Sequence, residues 1–600
     1  MGPKEIEVLV VSLAALLLVL SGRIRADLVA LLVVAALGLG RILPVKAVFA
    51  GFSSSVTVTI AGLFVITSAF EETGAVNWFA DRVSRFLGHG QRSVAGVFMV
   101  AGAVASLVMS TIAAAAVLVP ASVQISRRAK VPESKVLMPL GFGTLLGGMA
   151  TLFTSANIIV GGALEAQGQS GLTMWDFLRI GGLTAVAGIL FMMTVGYRLL
   201  PSHPSAGRKA VGDADLQRTY RLAERLWEVQ VTASSRIAGL TLADSALGSR
   251  LGLTVIAIWR GKEAIIPPTP QERVLPGDIL LVLGRDDRVD QLGGMGLAVG
   301  RGHSTTSTTG PALPVALSEV VIGPRSSAIG HTLKDLRFRN RFGLTTVALW
   351  RGGRSFRTDV GDFELDAGDA LLMVGPQSAI EELATEPGFL VLERDSGLPP
   401  RARGRALLTV AVAGIALVSS ALGWVPMAEA MLGGAVALVL FRCLSIEQAY
   451  RAIDWRVILL IGGFMPLGAA LVDTGLTDLL TTGLGRWLGG VGPIILIAVL
   501  YLIAAALAQL VGGQVAALII APIAISLAMN LGIDARAAGV TVAVACSAAF
   551  LTPIAHPVNL LTMGPGGYVS KDFVRVGWGL LATCFVVTVA AVALVFHVAM

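Results

Sequence analysis

Apolar and polar positions divide the chain into three zones. Residues 1 to about 200 and about 404 to 600 carry long apolar runs, and the stretch between them is polar and mixed. The runs Val8–Leu20, Leu28–Leu39, Gly182–Val195, Leu407–Leu422 and Leu580–Val598 approach the roughly 20 residues a helix needs to cross a bilayer. Pro201-Ser202-His203-Pro204 and Gly397-Leu398-Pro399-Pro400-Arg401 mark the edges of the polar zone, and a Gly/Ser/Thr-rich linker, Gly300 to Pro314, divides it. The expected units are two membrane repeats, 1–202 and 404–600, and two small domains, 203–302 and 313–396.

Both kinds of unit repeat. The membrane zones match at an offset of about 400: Glu72-Thr73-Gly74 with Asp473-Thr474-Gly475, Leu87-Gly88 with Leu488-Gly489, Pro120 with Pro522, and Asn157 with Asn559. Asp176-Phe177-Leu178-Arg179-Ile180-Gly181 matches Asp572-Phe573-Val574-Arg575-Val576-Gly577 in the same order. The insert matches itself at a constant offset of 91, from Gly252-Leu253-Thr254 and Trp259-Arg260-Gly261 to Gly343-Leu344-Thr345 and Trp350-Arg351-Gly352. Pro276-Gly277-Asp278 likewise matches Ala367-Gly368-Asp369. Each copy predicts a short helix, a strand, a turn and a second strand after Gly-Asp.

Between Ser93 and Ile125 two short apolar arms meet at Met109-Ser110-Thr111, and both outer flanks are basic: Arg82, Arg85 and Arg92, then Arg127, Arg128, Lys130 and Lys135. Like flanks place both ends on the cytoplasmic side and predict a re-entrant hairpin; two tilted full crossings are the alternative. Segments near 7–21, 27–41, 50–70, 136–165 and 178–197 supply the other crossings, five per half. An odd number inverts the second half and leaves the insert in the cytoplasm. The basic loops Arg23–Arg25, Arg442–Arg456 and Lys571–Arg575 then fall inside, and Glu165–Thr173 and Gly423–Val425 fall outside. Arg41, Lys46, Arg486 and Arg536 are exceptions. The predicted fold is an all-α polytopic membrane protein of inverted five-span repeats with re-entrant hairpins, plus two small cytoplasmic α+β domains.

Composition agrees: 54% of the 600 residues are hydrophobic, only 14% are charged, and mean hydropathy is +0.77. A net charge of +7 fits basic cytoplasmic loops and needs no nucleic-acid partner. Cys443, Cys546 and Cys584 lie in or beside apolar segments without metal or redox spacing. Met1 to Leu20 lacks a small-residue cleavage site and is taken as the first span in a bacterial inner membrane.

Inverted repeats with interrupted helices are a transporter design, because a mid-membrane break frees N–H groups that attract an anion and carbonyls that hold a cation. One break is expected where Gly141-Phe142-Gly143 through Gly147-Gly148 leads into Thr154-Ser155-Ala156-Asn157, with Gly161-Gly162 following, and the other within Leu551-Thr552-Pro553-Ile554-Ala555-His556-Pro557-Val558-Asn559, followed by Gly564-Pro565-Gly566-Gly567. A kinked helix with its polar groups bonded to neighbouring turns is the plainer alternative. His556 could bind an anion, carry a proton, or be a satisfied interior histidine. Glu71, Glu72 and Asp473 could serve a proton or cation pathway or merely cap helices. No catalytic triad, metal cluster or phosphate loop is visible, and Gly293-Gly294-Met295-Gly296 lacks the setting of a dinucleotide site, so no enzyme is expected.

The chain resembles the divalent anion/sodium symporter family of the ion transporter superfamily, in particular bacterial members with two TrkA C-terminal (RCK-C-like) domains in the central loop. The resemblance rests on Thr154 to Asn157, on the doubled insert, and on the ending from Thr552-Pro553-Ile554 through Asn559-Leu560 and Gly564-Pro565-Gly566-Gly567-Tyr568 to Asp572-Phe573. It implies sodium-coupled uptake of a dicarboxylate or sulfate, an elevator motion against a homodimeric scaffold, and regulatory domains that bind an unknown small ligand. It also implies hairpin tips carrying Ser-Asn-Thr. Here the tips are Ser110-Thr111-Ile112 and Gly512-Gly513-Gln514; the second lacks hydroxyls and neither has the asparagine. Na+ is expected near Ser110, Asn157, Thr552 and Asn559, with backbone carbonyls of Gly512 and Gly513 as further ligands. Proton coupling, a channel gated by the insert, and a non-transporting sensor are the competing readings.

Overall fold

The computed structural model describes residues 3–21, 24–75, 90–201, 226–301, 316–392, 403–475 and 492–598, apart from 130, 262, 266, 267, 285, 325, 352, 353, 357–359, 385 and 387. The expected domain boundaries at 202/203, 302–313 and 396–404, and the Leu87-Gly88 and Leu488-Gly489 pair, lie outside the described residues. In the first half run α1 (Pro3–Ser21), α2 (Ala26–Leu39), α3 (Ser55–Thr73), α4 (Gln91–Ala105), α5 (Thr111–Arg128), α6 (Leu137–Met149), α7 (Ser155–Ala166) and α8 (Met174–Phe191). The second half repeats them in order as α9 (Arg403–Ala421), α10 (Met427–Leu440), α11 (Trp455–Asp473), α12 (Pro493–Val511), α13 (Gly513–Asn530), α14 (Ala535–Ser547), α15 (Pro557–Gly566) and α16 (Ser570–Val595).

The repeated motifs are helix punctuation. Gly74 and Gly475 both adopt left-handed φ, 73° and 76°, and stop α3 and α11. Asp176 accepts the Thr173 N–H at 2.7 Å and Asp572 the Val569 N–H at 2.9 Å, so the paired Asp-Phe sequences start α8 and α16. The glycine five residues later brings each helix onto a broken span: a Cβ on Gly181 would lie 1.9 Å from the Met149 carbonyl, and one on Gly577 2.3 Å from that of Phe550.

Helices α1–α3 pack with α9–α11 into one bundle, and α4–α8 pack with α12–α16 into a second. Leu13, Leu17, Leu183, Leu190, Ile415 and Val586 stay exposed on the outside, as a lipid-facing belt requires. Arg536 forms an ion pair of 2.5 Å with Asp176, so this exception to the charge bias is neutralised by the other half.

Each insert copy is a five-stranded antiparallel sheet. The strands are β1 (Leu226–Val231), β2 (Thr254–Arg260), β3 (Glu263–Ile265), β4 (Ile279–Leu283) and β5 (Leu297–Arg301), then β6 (Ala316–Ile322), β7 (Thr345–Arg351), β8 (Arg354–Phe356), β9 (Ala370–Gly375) and β10 (Phe389–Val391). The orders β3-β2-β4-β1-β5 and β8-β7-β9-β6-β10 are the same topology. The repeated Arg and Gly-Asp explain each other: Arg260 grips Asp278 through two bonds of 3.1 and 3.0 Å, and Arg351 grips Asp369 at 2.7 and 2.5 Å. The sheets meet through Ile256, Ala257 and Leu281 against Val347, Ala348, Leu372 and Val374.

Candidate functional site

Two helix pairs are interrupted side by side. In the first half α6 stops at Met149 and α7 starts at Ser155; in the second α14 stops at Ser547 and α15 starts at Pro557. Pro553 lies inside the second interruption, and Pro557 occupies the first helical position, where a missing N–H costs nothing. The first interruption has no proline. The two hairpins point their tips at these gaps. The α4–α5 turn spans Ser106 to Ser110, while α12 and α13 are joined at Gly512 alone.

The two gaps are wired alike. Asn157 Nδ2 donates to the carbonyls of Gly148 at 3.1 Å and Thr151 at 2.6 Å. Asn559 Nδ2 donates to those of Ala549 at 2.8 Å and Thr552 at 3.0 Å. Thr151 Oγ1 donates to the Leu107 carbonyl at 3.3 Å, and Thr552 Oγ1 to the Gln509 carbonyl at 3.2 Å, so each hairpin is tied to its own gap. Both asparagines are fully buried, and with Nδ2 committed to carbonyls, both Oδ1 atoms are left without a donor. The hydroxyls of Ser106 and Thr154 are likewise buried without a partner. A buried acceptor of this kind costs about 1–3 kcal/mol unless something binds it.

The first hairpin also reaches the second gap. Thr111 lies 3.4 Å from His556 Nε2, and its methyl group reaches the first gap beside Gly148 and Thr154. His556 caps α15, its Nδ1 accepting the Val558 N–H at 3.2 Å, which leaves the proton of the neutral ring on Nε2 facing Thr111. Ser110 caps α5 by accepting the Ala113 N–H at 3.3 Å. The N-termini of α5, α7, α13 and α15 therefore converge with the C-termini of α4, α6, α12 and α14. Positive helix ends suit an anion, and the facing carbonyls suit a cation.

A sequence profile of the CitMHS family, described as citrate transporter, matches residues 16–545. The chain belongs to the CitMHS family. Membership makes it a multi-pass membrane transporter rather than an enzyme. This CitMHS chain is 31% identical to an uncharacterised transporter of Synechocystis over 93% of its own length and 92% of the relative's. It is 30% identical to the uncharacterised transporter YfbS of Escherichia coli over 99% and 100%. Sodium/sulfate cotransporter 2 of Chlamydomonas reinhardtii is 26% identical over 56% of this chain and 39% of that protein. Among solved structures, the Alcanivorax borkumensis YdaH transporter aligns with a TM-score of 0.44 at 15% identity over 92% of this chain and 87% of that one.

The CitMHS fold brings together Ser110, Thr111, Thr154, Asn157, Gly512, Thr552, His556 and Asn559. Ser155 opens α7, Pro553 lines the second gap, and Gly513 and Gln514 form the first turn of α13 rather than an extended tip. Gly512 holds φ at 84°, and a Cβ on Gly513 would meet the Cys546 carbonyl at 2.2 Å, so backbone contact excludes larger side chains there. Glu72 is elsewhere, accepting from Gln448 Nε2 at 2.9 Å in the other bundle, and Asp473 lines a gap between the bundles.

Sequence reasoning missed Thr151 and Gln509. Thr151, not Thr154, is the hydrogen-bonding counterpart of Thr552. Gln509 donates to the Ala548 carbonyl at 2.8 Å and accepts from the Leu551 N–H at 2.9 Å, fastening the second hairpin. Its place three residues before the glycine pair of the second tip was the available signal.

Proposed function

We propose that this CitMHS transporter is a secondary active carrier that imports a small divalent anion, a dicarboxylate or sulfate, together with Na+, by an elevator motion of the second bundle against the first. The observation that carries the reading is the pair of buried, unpartnered amide oxygens of Asn157 and Asn559 at converging helix ends. Acceptors without donors suit a metal cation, and Ser110, Thr552 and the nearby carbonyls would complete an oxygen shell. The anion would lie against the N-termini of α5 and α15, by Thr111 and His556. The names of the sodium/sulfate relatives are consistent with both solutes. The elevator motion is supported by the apolar surface between the bundles, where Val56, Phe464 and Met465 face Ile159, Ala517 and Leu518 around a cavity of about 90 Å³. The apolar part of this surface slides without breaking directional bonds, and the Ser55–Glu165 hydrogen bond of 3.1 Å is one that the motion must break.

His556 favours a second reading, coupling to protons, because a titratable ring faces Thr111 inside the site. The insert domains are taken as regulatory units for a small ligand, and the first bundle as the scaffold of a homodimer in the bacterial inner membrane. Uptake of labelled sulfate, succinate and citrate into proteoliposomes under Na+ or proton gradients tests the reading. Accumulation driven by Na+ supports it, accumulation driven only by protons selects the second reading, and no accumulation of any anion removes both.

A further inference from the structure

The two insert copies share sequence and topology but not surroundings. The turn at Gly368 and the edge strand β10 of the second copy press into the membrane half. Leu390 of β10 packs against Ala115 of α5 and against Val558 and Leu561 of α15, while Val321, Ala370 and Leu392 are buried in the membrane core. The approach is backbone to backbone: a Cβ on Gly368 would lie 2.6 Å from the Leu560 carbonyl, and one on Gly564 2.4 Å from the Gly368 carbonyl. In the first copy the equivalent turn, at Gly277, has no atom within 4 Å of such a Cβ, and Ile279 and Ala298 beside it are exposed. Docking is thus a property of the second copy's position and not of the domain's fold.

The docked edge is close to the site. Ala115 is four residues beyond Thr111 in α5, a rise of about 6 Å, and Val558 adjoins Asn559. Resting on the reading proposed above, we infer that the second insert domain is a built-in plug that closes the cytoplasmic mouth of the transport site, and that transport requires β10 to leave α5 and α15. The Arg351–Asp369 pair shapes the Gly368 turn, so a signal that moves this pair would move the plug.

The test uses the full chain with Leu561→Cys as a reporter, since Cys443, Cys546 and Cys584 are buried. Inside-out vesicles are treated with a membrane-impermeant maleimide, and initial uptake is measured in parallel. Gly368→Val forces a side chain into Leu560; Leu390→Asp removes the apolar contact and leaves the turn intact; Gly277→Val imposes the same backbone strain on the undocked copy. Both docking variants should raise labelling by about fivefold or more, in the range of ordinary coupling energies, and raise uptake, while Gly277→Val changes neither. Equal labelling in all four backgrounds overturns the plug, as does lower uptake in docking variants that melt like the wild type. Should no anion be carried even by the wild type, the transport reading fails, and labelling alone decides the docking.

Discussion

At the residue scale, the site is two asparagines doing the same thing twice. Each amide nitrogen staples the two ends of a broken helix, and each amide oxygen is left facing the gap. Replacing Asn559 by alanine strands the Ala549 and Thr552 carbonyls, at about 1–3 kcal/mol each. Asn559→Ala should therefore abolish uptake while the protein still elutes as the wild type does; wild-type rates would remove Asn559 from the site. If the oxygens hold Na+, added Na+ should raise the melting temperature of the wild type by mass action and lose that effect in Asn157→Ala. This readout needs no substrate. The asparagines were legible because they repeat at the same offset. Thr151 and Gln509 were not, since their roles arise from contacts across 44 and 42 residues.

At the element scale, short helices make sense only in pairs. Helices α6 and α7 have 13 and 12 residues, too few to cross a bilayer singly, and Asn157 of α7 bonds the Gly148 and Thr151 carbonyls freed at the end of α6. The second hairpin tip is the sharper. Gly512→Ala meets an unfavourable left-handed φ of 84° and should slow uptake several-fold with little loss of folded protein. Gly513→Val, aimed at the Cys546 carbonyl, should prevent α13 from seating and lower the melting temperature by several degrees. An equally active, equally stable Gly513→Val protein would show that the hairpin does not pack on α14. The sequence displays a tip without hydroxyls; the glycine at 513 is explained by the close approach of another backbone, which leaves no local trace.

At the scale of the whole molecule, the chain joins two bundles and one docked insert domain. Arg351→Ala leaves the buried Asp369 carboxylate without its cation. The insert should lose about 3 kcal/mol, the low end for such pairs because the guanidinium is one-third exposed. The loss should appear as a lower melting temperature together with increased labelling at Leu561→Cys. The homologous Arg260→Ala should destabilise its own sheet without that second effect; equal effects on labelling would mean the copies are interchangeable. Similarly, Arg536 could be read from sequence only as a misplaced charge, whereas its partner Asp176 lies on the other half of the chain.

The sequence by itself determined the doubling of the membrane zones, the sites of interruption and the doubling of the insert. These are consequences of run length, proline and internal identity, all of which act locally or repeat at a fixed offset. Only the tertiary structure decided which amide oxygens remain unpaired, which threonine matches Thr552, and which copy of the insert lies against the site. Two near-identical turns, Gly277-Asp278 and Gly368-Asp369, have the same local energetics and differ only in what the rest of the chain brings to them. Burial and pairing are properties of surroundings, and the surroundings are assembled from segments far apart in the chain.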